Sequence, residues 1–189
     1  MNNIGYTYLS KTDYNTTGNI QQDLYQIIKL ELGYYFEELY EESLDAFAMA
    51  KSVSEMNYYE NESQVIRRVK TPLKDKKITN LQDFITDKRN SIKDGFSSQK
   101  DRNQLSTAID ILDNCNKNIL QLVFNICQEI KEGIIKKANN DCYQLIDLYY
   151  SRKLSKKFGS FAEYVDNCHT YLTKSINLVY GGHKYGKKH

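Results

Sequence analysis

An apolar stripe recurring every three or four residues between Leu105 and Ile134 is the strongest constraint on what this chain can fold into. Leu105, Ala108, Ile109, Leu112, Ile119, Leu120, Val123, Ile126, Cys127, Ile130 and Ile134 share one side of a 3.6-residue period. No Gly or Pro interrupts them before Gly133, so the spacing predicts one long helix, or a kinked pair, over residues 100–139. Unkinked, it would reach ~60 Å at the usual rise per residue. The polar run Asn114 to Asn118 is where a kink or split is expected. One Pro and nine Gly in 189 residues leave few of the turns that a sandwich or barrel needs. The expected fold class is therefore all-α, an antiparallel bundle of five to six helices.

The remaining helices follow from the same periodicity. Residues 1–18 show no period and are expected to form an irregular N-terminal arm. A helix is predicted from about Asn19, with Leu24, Ile27, Ile28, Leu32, Tyr35, Phe36 and Leu39 on one face. Gly33 weakens it without stopping it. A break is expected at Glu41-Glu42-Ser43, a second stretch through Leu44, Phe47, Ala48 and Val53, and a turn over Asn57 to Asn61. Pro72, the only proline, disfavours helix at Thr71 and is expected to open a loop, TPLKDKKIT. That loop marks where residues 19–180 would subdivide, near 70–79, if they are not a single helical domain. Thr79 or Asn80 caps the next helix, which carries Leu81, Phe84, Ile85, Lys88 and Ile92 and ends at Asp94-Gly95. Two more helices are expected: one from Cys142, and one opened by the capping box Ser160-Phe161-Ala162-Glu163 and closed by Gly181-Gly182. Residues 181–189 form a basic, Gly-containing tail. LGYYFEELYEESLDAFAMAKSV faintly echoes one tetratricopeptide unit, but no second copy follows, and such a unit needs neighbours to bury its apolar face.

Charge is unevenly placed. Residues 1–65 hold eleven acids against three lysines, a net of −8, while the rest of the chain holds 23 bases against 13 acids, a net of +10. Such asymmetry points to a polyanionic partner, or to two halves that compensate one another. The start, MNNIGYTYLSKTDYN, has neither a basic n-region nor an apolar run, and the most apolar stretch, Ile119 to Ile126, is interrupted by Gln121 and Asn125. The expected compartment is the cytoplasm, with no membrane partner. Cys115, Cys127, Cys142 and Cys168 form no C-x-x-C pair and are expected to be buried thiols.

Catalytic patterns are missing. His169, His183 and His189 are the only histidines, and neither E-x-x-H nor paired Cys and His at metal-ligand spacing occurs. Gly181-Gly182 follows a helix, the wrong end of the dipole for phosphate. No Arg has a His at the spacing that helical ribonucleases use. The expectation is a protein that is not an enzyme and needs no cofactor.

What remains is charge and tyrosine. Arg67, Arg68, Lys70, Lys76, Lys77, Arg152, Lys153, Lys156, Lys157, Lys184, Tyr185, Lys187 and Lys188 are candidate contacts to RNA or DNA, provided they converge on one face. Sixteen tyrosines include three adjacent pairs, and neighbours on a helix cannot both face the core. Tyr34, Tyr35, Tyr40, Tyr58, Tyr59, Tyr149 and Tyr150 are therefore candidate protein-interface residues. The leading expectation is a protein–protein interaction or adaptor subunit, or a homo-oligomer, with an acidic first third and a basic remainder. The alternative is an RNA- or DNA-associated helical subunit of a nucleoprotein complex. Pairing of the basic residues with the Glu37–Glu42 cluster would weigh against the alternative.

Overall fold

The computed structural model describes residues 17–95, 97–133 and Cys142. Among them are four helices and no strand: α1 (Ile20–Ala48), α2 (Val53–Lys74), α3 (Leu81–Lys93) and α4 (Gln99–Lys131). The all-α class stands. Each helix starts on a polar cap of the expected kind, since the side chains of Asn19, Ser52, Asn80 and Ser98 accept backbone N–H groups of the first turn. The fifth and sixth expected helices, the arm and the basic tail lie outside the described residues, save that Cys142 is helical and buried.

Cross-links set the directions. Ser43 Oγ donates to Tyr59 O, and Lys29 Nζ to Leu73 O, so α1 and α2 form an antiparallel hairpin. Gln104 bonds Asn61 while Arg68 pairs with Asp101, which sets α4 antiparallel to α2. Asn116 meets Gln82 and Arg89 meets Asp113, so α3 also runs against α4. The core lies where α1, α2 and α4 meet, around Leu24, Ile28, Leu32, Phe36, Val65, Val69, Leu73, Ile109, Leu112 and Ile119.

Four expected boundaries move. α1 is unbroken through Glu41-Glu42-Ser43, because Ser43 is buried and bonded to Tyr59 O and Glu62, so that polar triplet is an inter-helix contact. The chain turns at Met49 to Ser52 instead. Asn57 to Asn61 is not a turn but lies inside α2, with Tyr58 buried and Asn61 bonded to Gln104. Pro72 does not open a loop: it lies in the last turn of α2, where buried Val69 and Leu73 hold the helix in place. Finally, α4 runs 33 residues, unbroken through Asn114 to Asn118, and ends at Lys131 before Gly133, whose φ of 73° is the left-handed conformation that closes helices. Asn116 is a core residue. Tyr25 Oη donates to its side-chain oxygen at 2.5 Å and accepts Leu81 N–H at 3.3 Å, joining α1, α3 and α4. Burial pushes the Tyr25 hydroxyl up to about 12, so it remains a donor at any physiological pH.

The segment 70–79 is bonded to α1 throughout. Lys29 Nζ, fully buried, donates to Leu73 O at 2.9 Å, Asp75 O at 2.7 Å and Pro72 O at 3.4 Å. Gln26 donates to Thr79 O. A helix ends with carbonyls that lack intrahelical partners, and here an amine from the neighbouring helix supplies the donors.

Gly33 explains the closeness of that contact. A Cβ there would lie 3.0 Å from Lys74 N and 3.1 Å from Leu73 C, both backbone atoms that cannot step aside alone. Alanine is the better helix former by about 1 kcal/mol, yet overpacking costs typically 1–3 kcal/mol. Gly33→Ala is therefore expected to lower stability by about 1–2 kcal/mol in a urea titration. A stabilised variant would mean that the hairpin relaxes freely.

Candidate functional site

One basic candidate, Lys70, meets a tyrosine candidate, Tyr40, and Lys74, outside the candidate set, meets Tyr34. On the flank of the α1–α2 hairpin, Lys70 Nζ lies 2.7 Å from Glu37 Oε1 and Lys74 Nζ 2.5 Å from Glu37 Oε2. Lys70 also sits 4.4 Å over the Tyr40 ring, and Lys74 5.1 Å over Tyr34. Hydrogen bonds from both lysines, more than burial opposes them, hold the Glu37 carboxyl below its ordinary range. Tyr35 packs edge-on to Phe36, and Tyr58 is buried with Tyr59 set perpendicular to it. Arg68 pairs with Asp101. Arg67, Lys76 and Lys77 are exposed. Arg152, Lys153, Lys156, Lys157, Lys184, Tyr185, Lys187, Lys188, Tyr149 and Tyr150 lie outside the described residues.

The open surface lies elsewhere, at the tip of the same hairpin. Met49 is 79% and Val53 74% exposed, with Met56 at 41% and Leu44 at 38%. Single exposed apolar residues are ordinary, but four within one helix–turn–helix segment are not a scatter. Exposed Glu41, Glu42, Asp45 and Glu55 share this helix–turn–helix segment with them, against one exposed cation between residues 41 and 56, Lys51. Burial, and then the charge of Glu42, push the Glu38 carboxyl up, a sign of like charges crowded on α1.

The turn itself is fixed. Ser52 Oγ accepts Glu55 N–H at 3.1 Å, and Glu55 Oε2 accepts Lys51 N–H at 2.7 Å, a variant of the capping box. Ser52-Val53-Ser54-Glu55 carries that signature in the sequence, and reading it would have put the turn at Met49 to Ser52. The tip is thus an apolar cluster on a pre-organised turn within an acidic field, a geometry for burying another surface.

A smaller exposed pair, Leu120 and Phe124, lies one turn apart on α4 at 52% and 57% exposure. Leu120 thereby leaves the apolar stripe on which the sequence placed it. Val123 and Ile126 do face the core.

Among the described residues no group of His, Cys, Asp and Glu is placed to hold a metal ion, and no helix is long and apolar enough to cross a membrane. Cys115 and Cys142 are buried thiols in no disulfide and Cys127 is half-buried, while Cys168 lies outside the described residues. Comparison with known proteins returns no matching family model, no matching curated protein and no matching solved structure.

Proposed function

We propose that the protein is a non-enzymatic helical interaction module that presents the tip of the α1–α2 hairpin to a basic, apolar segment of a partner protein. The observation that carries this reading is the exposure of Leu44, Met49, Val53 and Met56 on a capped, rigid turn. Methionines adapt their shape to a partner's side chains, and the surrounding carboxylates favour cationic partners and speed encounter. Use of Lys70 and Lys74 on Glu37 supports it further, since those cations already have carboxylate partners.

The test is fluorescence anisotropy with a labelled amphipathic peptide of Leu and Lys, beside the same peptide carrying Glu for Lys. Binding of the basic peptide in the micromolar range is expected, and Met49→Asp with Val53→Asp should weaken it at least ~10-fold, about 1.4 kcal/mol. Both positions are exposed, so circular dichroism and melting should barely change. Equal binding of the acidic peptide, or binding indifferent to the double substitution, would overturn the proposal.

A further inference from the structure

We infer that the cleft between α2 and α3 is a binding site for a small amphiphilic carboxylate, one with a benzene-sized apolar body and a single anionic head. α2 and α3 both rest on α4 with little direct contact between them, which leaves a cleft of about 220 Å³ over the α4 surface. Leu105, Ile109 and Leu112 line it from α4, Phe84 and Lys88 from α3, and Arg68 from α2.

Three features define the occupant. The first is size: the cleft is open to solvent on one side, and its volume exceeds the roughly 150 Å³ of an enclosed apolar cavity that takes up benzene, which is room for such a ring and a short arm. The second is charge, because cations stand on two walls and no carboxylate lines the cleft. Lys88 Nζ lies 5.5 Å over the Phe84 ring and has no carboxylate within ion-pair distance among the described residues. The third is a surplus of donors. Arg68, on the wall with its side chain 34% exposed, gives Nη2 to Asp101 at 3.3 Å, and a guanidinium carries five N–H donors in a fork that suits a carboxylate.

The experiment is a heteronuclear NMR titration of the full chain with 3-phenylpropanoate, beside the neutral 3-phenylpropan-1-ol and the cationic 3-phenylpropylamine. Saturable shifts at Phe84, Ile109 and Leu112 are expected, with a Kd of about 0.1–1 mM for the carboxylate, as its size allows. The alcohol should bind about tenfold more weakly, and Arg68→Gln with Lys88→Gln should reduce the carboxylate to the alcohol's affinity. Both substituted side chains reach solvent, and an unchanged spectrum elsewhere would show that the fold persists. No saturable shift at the cleft up to about 10 mM, an amine that binds as well as the carboxylate, or a double variant that keeps the preference would overturn the inference.

Discussion

Replacing Lys29 by Met is expected to destabilise the protein by about 2 kcal/mol. The apolar stem would still fill its place in the core, so the effect isolates the amine. Lys29 Nζ is the donor to the last carbonyls of α2, Leu73 O and Asp75 O closest, and it is fully buried. Replacing both members of a buried polar pair by apolar groups is often harmless, but here one member is the backbone and remains. Leu73 O is left without its donor, costing about 1–3 kcal/mol, while Asp75 O keeps the Ile78 N–H at 3.2 Å, and the loss is offset in part because no charge is then buried. Burial, opposed by the charge of Asp75, lowers the Lys29 amine to about 8, which gives the sign of that offset. Urea unfolding gives the magnitude, and amide exchange over residues 73–78 should accelerate first. A Met variant as stable as the parent, with protection there unchanged, would show that the cap contributes nothing.

Glu31 should impose an unusual pH dependence. It is 4% exposed, both its carboxyl oxygens lack hydrogen-bond partners, and burial alone pushes it up to about 8. Its ordinary value is 4.5, so between 4.5 and 8 the unfolded chain has released a proton that the folded chain keeps. The stability Glu31 contributes is therefore whole below pH 4.5, is lost progressively up to pH 8 and falls no further beyond it. At about 1.4 kcal/mol per pH unit, the loss is on the order of 3 kcal/mol at pH 7. Lys29 acts in the opposite sense. Its folded value of about 8 lies below the ordinary 10.5, so the unfolded chain holds more protons between these limits and stability rises with pH there. Together they place a minimum of stability near pH 8. Glu37, held low by Lys70 and Lys74, titrates on the acid side of this window, and Tyr25 above its centre at about 12. Unfolding free energies from pH 5 to 10 should show the minimum. Glu31→Gln should remove its acid limb and raise stability at pH 7 by about 2–3 kcal/mol. A Gln variant with the parent's pH profile would mean that Glu31 is ionised in the folded protein.

Much of the fold was legible because helical periodicity and caps are local signals. Leu24, Ile27, Ile28, Leu32, Phe36 and Leu39 are buried as their spacing required, and Asn19, Asn80 and Gly95 mark helix ends where expected. The displaced boundaries share a cause, since a polar residue bonded across an interface has the same local appearance as one in a turn. Ser43, Asn61 and Asn116 are such residues, and Lys29 and Glu31 are ionisable side chains buried at positions that composition alone assigns to the surface. Pro72 misled for the complementary reason, because tertiary contacts to Val69 and Leu73 outweigh its local preference. At the site, charge asymmetry and tyrosine content pointed to Lys70 and Tyr40, which meet across the hairpin, and to Arg67, Lys76 and Lys77, which are exposed. The exposed tip was missed although Ser52 and Glu55 announced its turn, because exposure of Met49 and Val53 depends on where α1 and α2 separate.

Light scattering after gel filtration tests the central claim most directly, with the full chain run alone, with mixed short RNA and DNA, and with a carrier protein bearing the Leu–Lys peptide. The expected result is a mass increase of one carrier, abolished by Met49→Asp with Val53→Asp, and no change with nucleic acid at low or high salt. A nucleic-acid complex that forms at low salt, dissolves at high salt and is lost on replacing Arg67, Lys76 and Lys77 by Ala would contradict it and make the exposed cations the working surface.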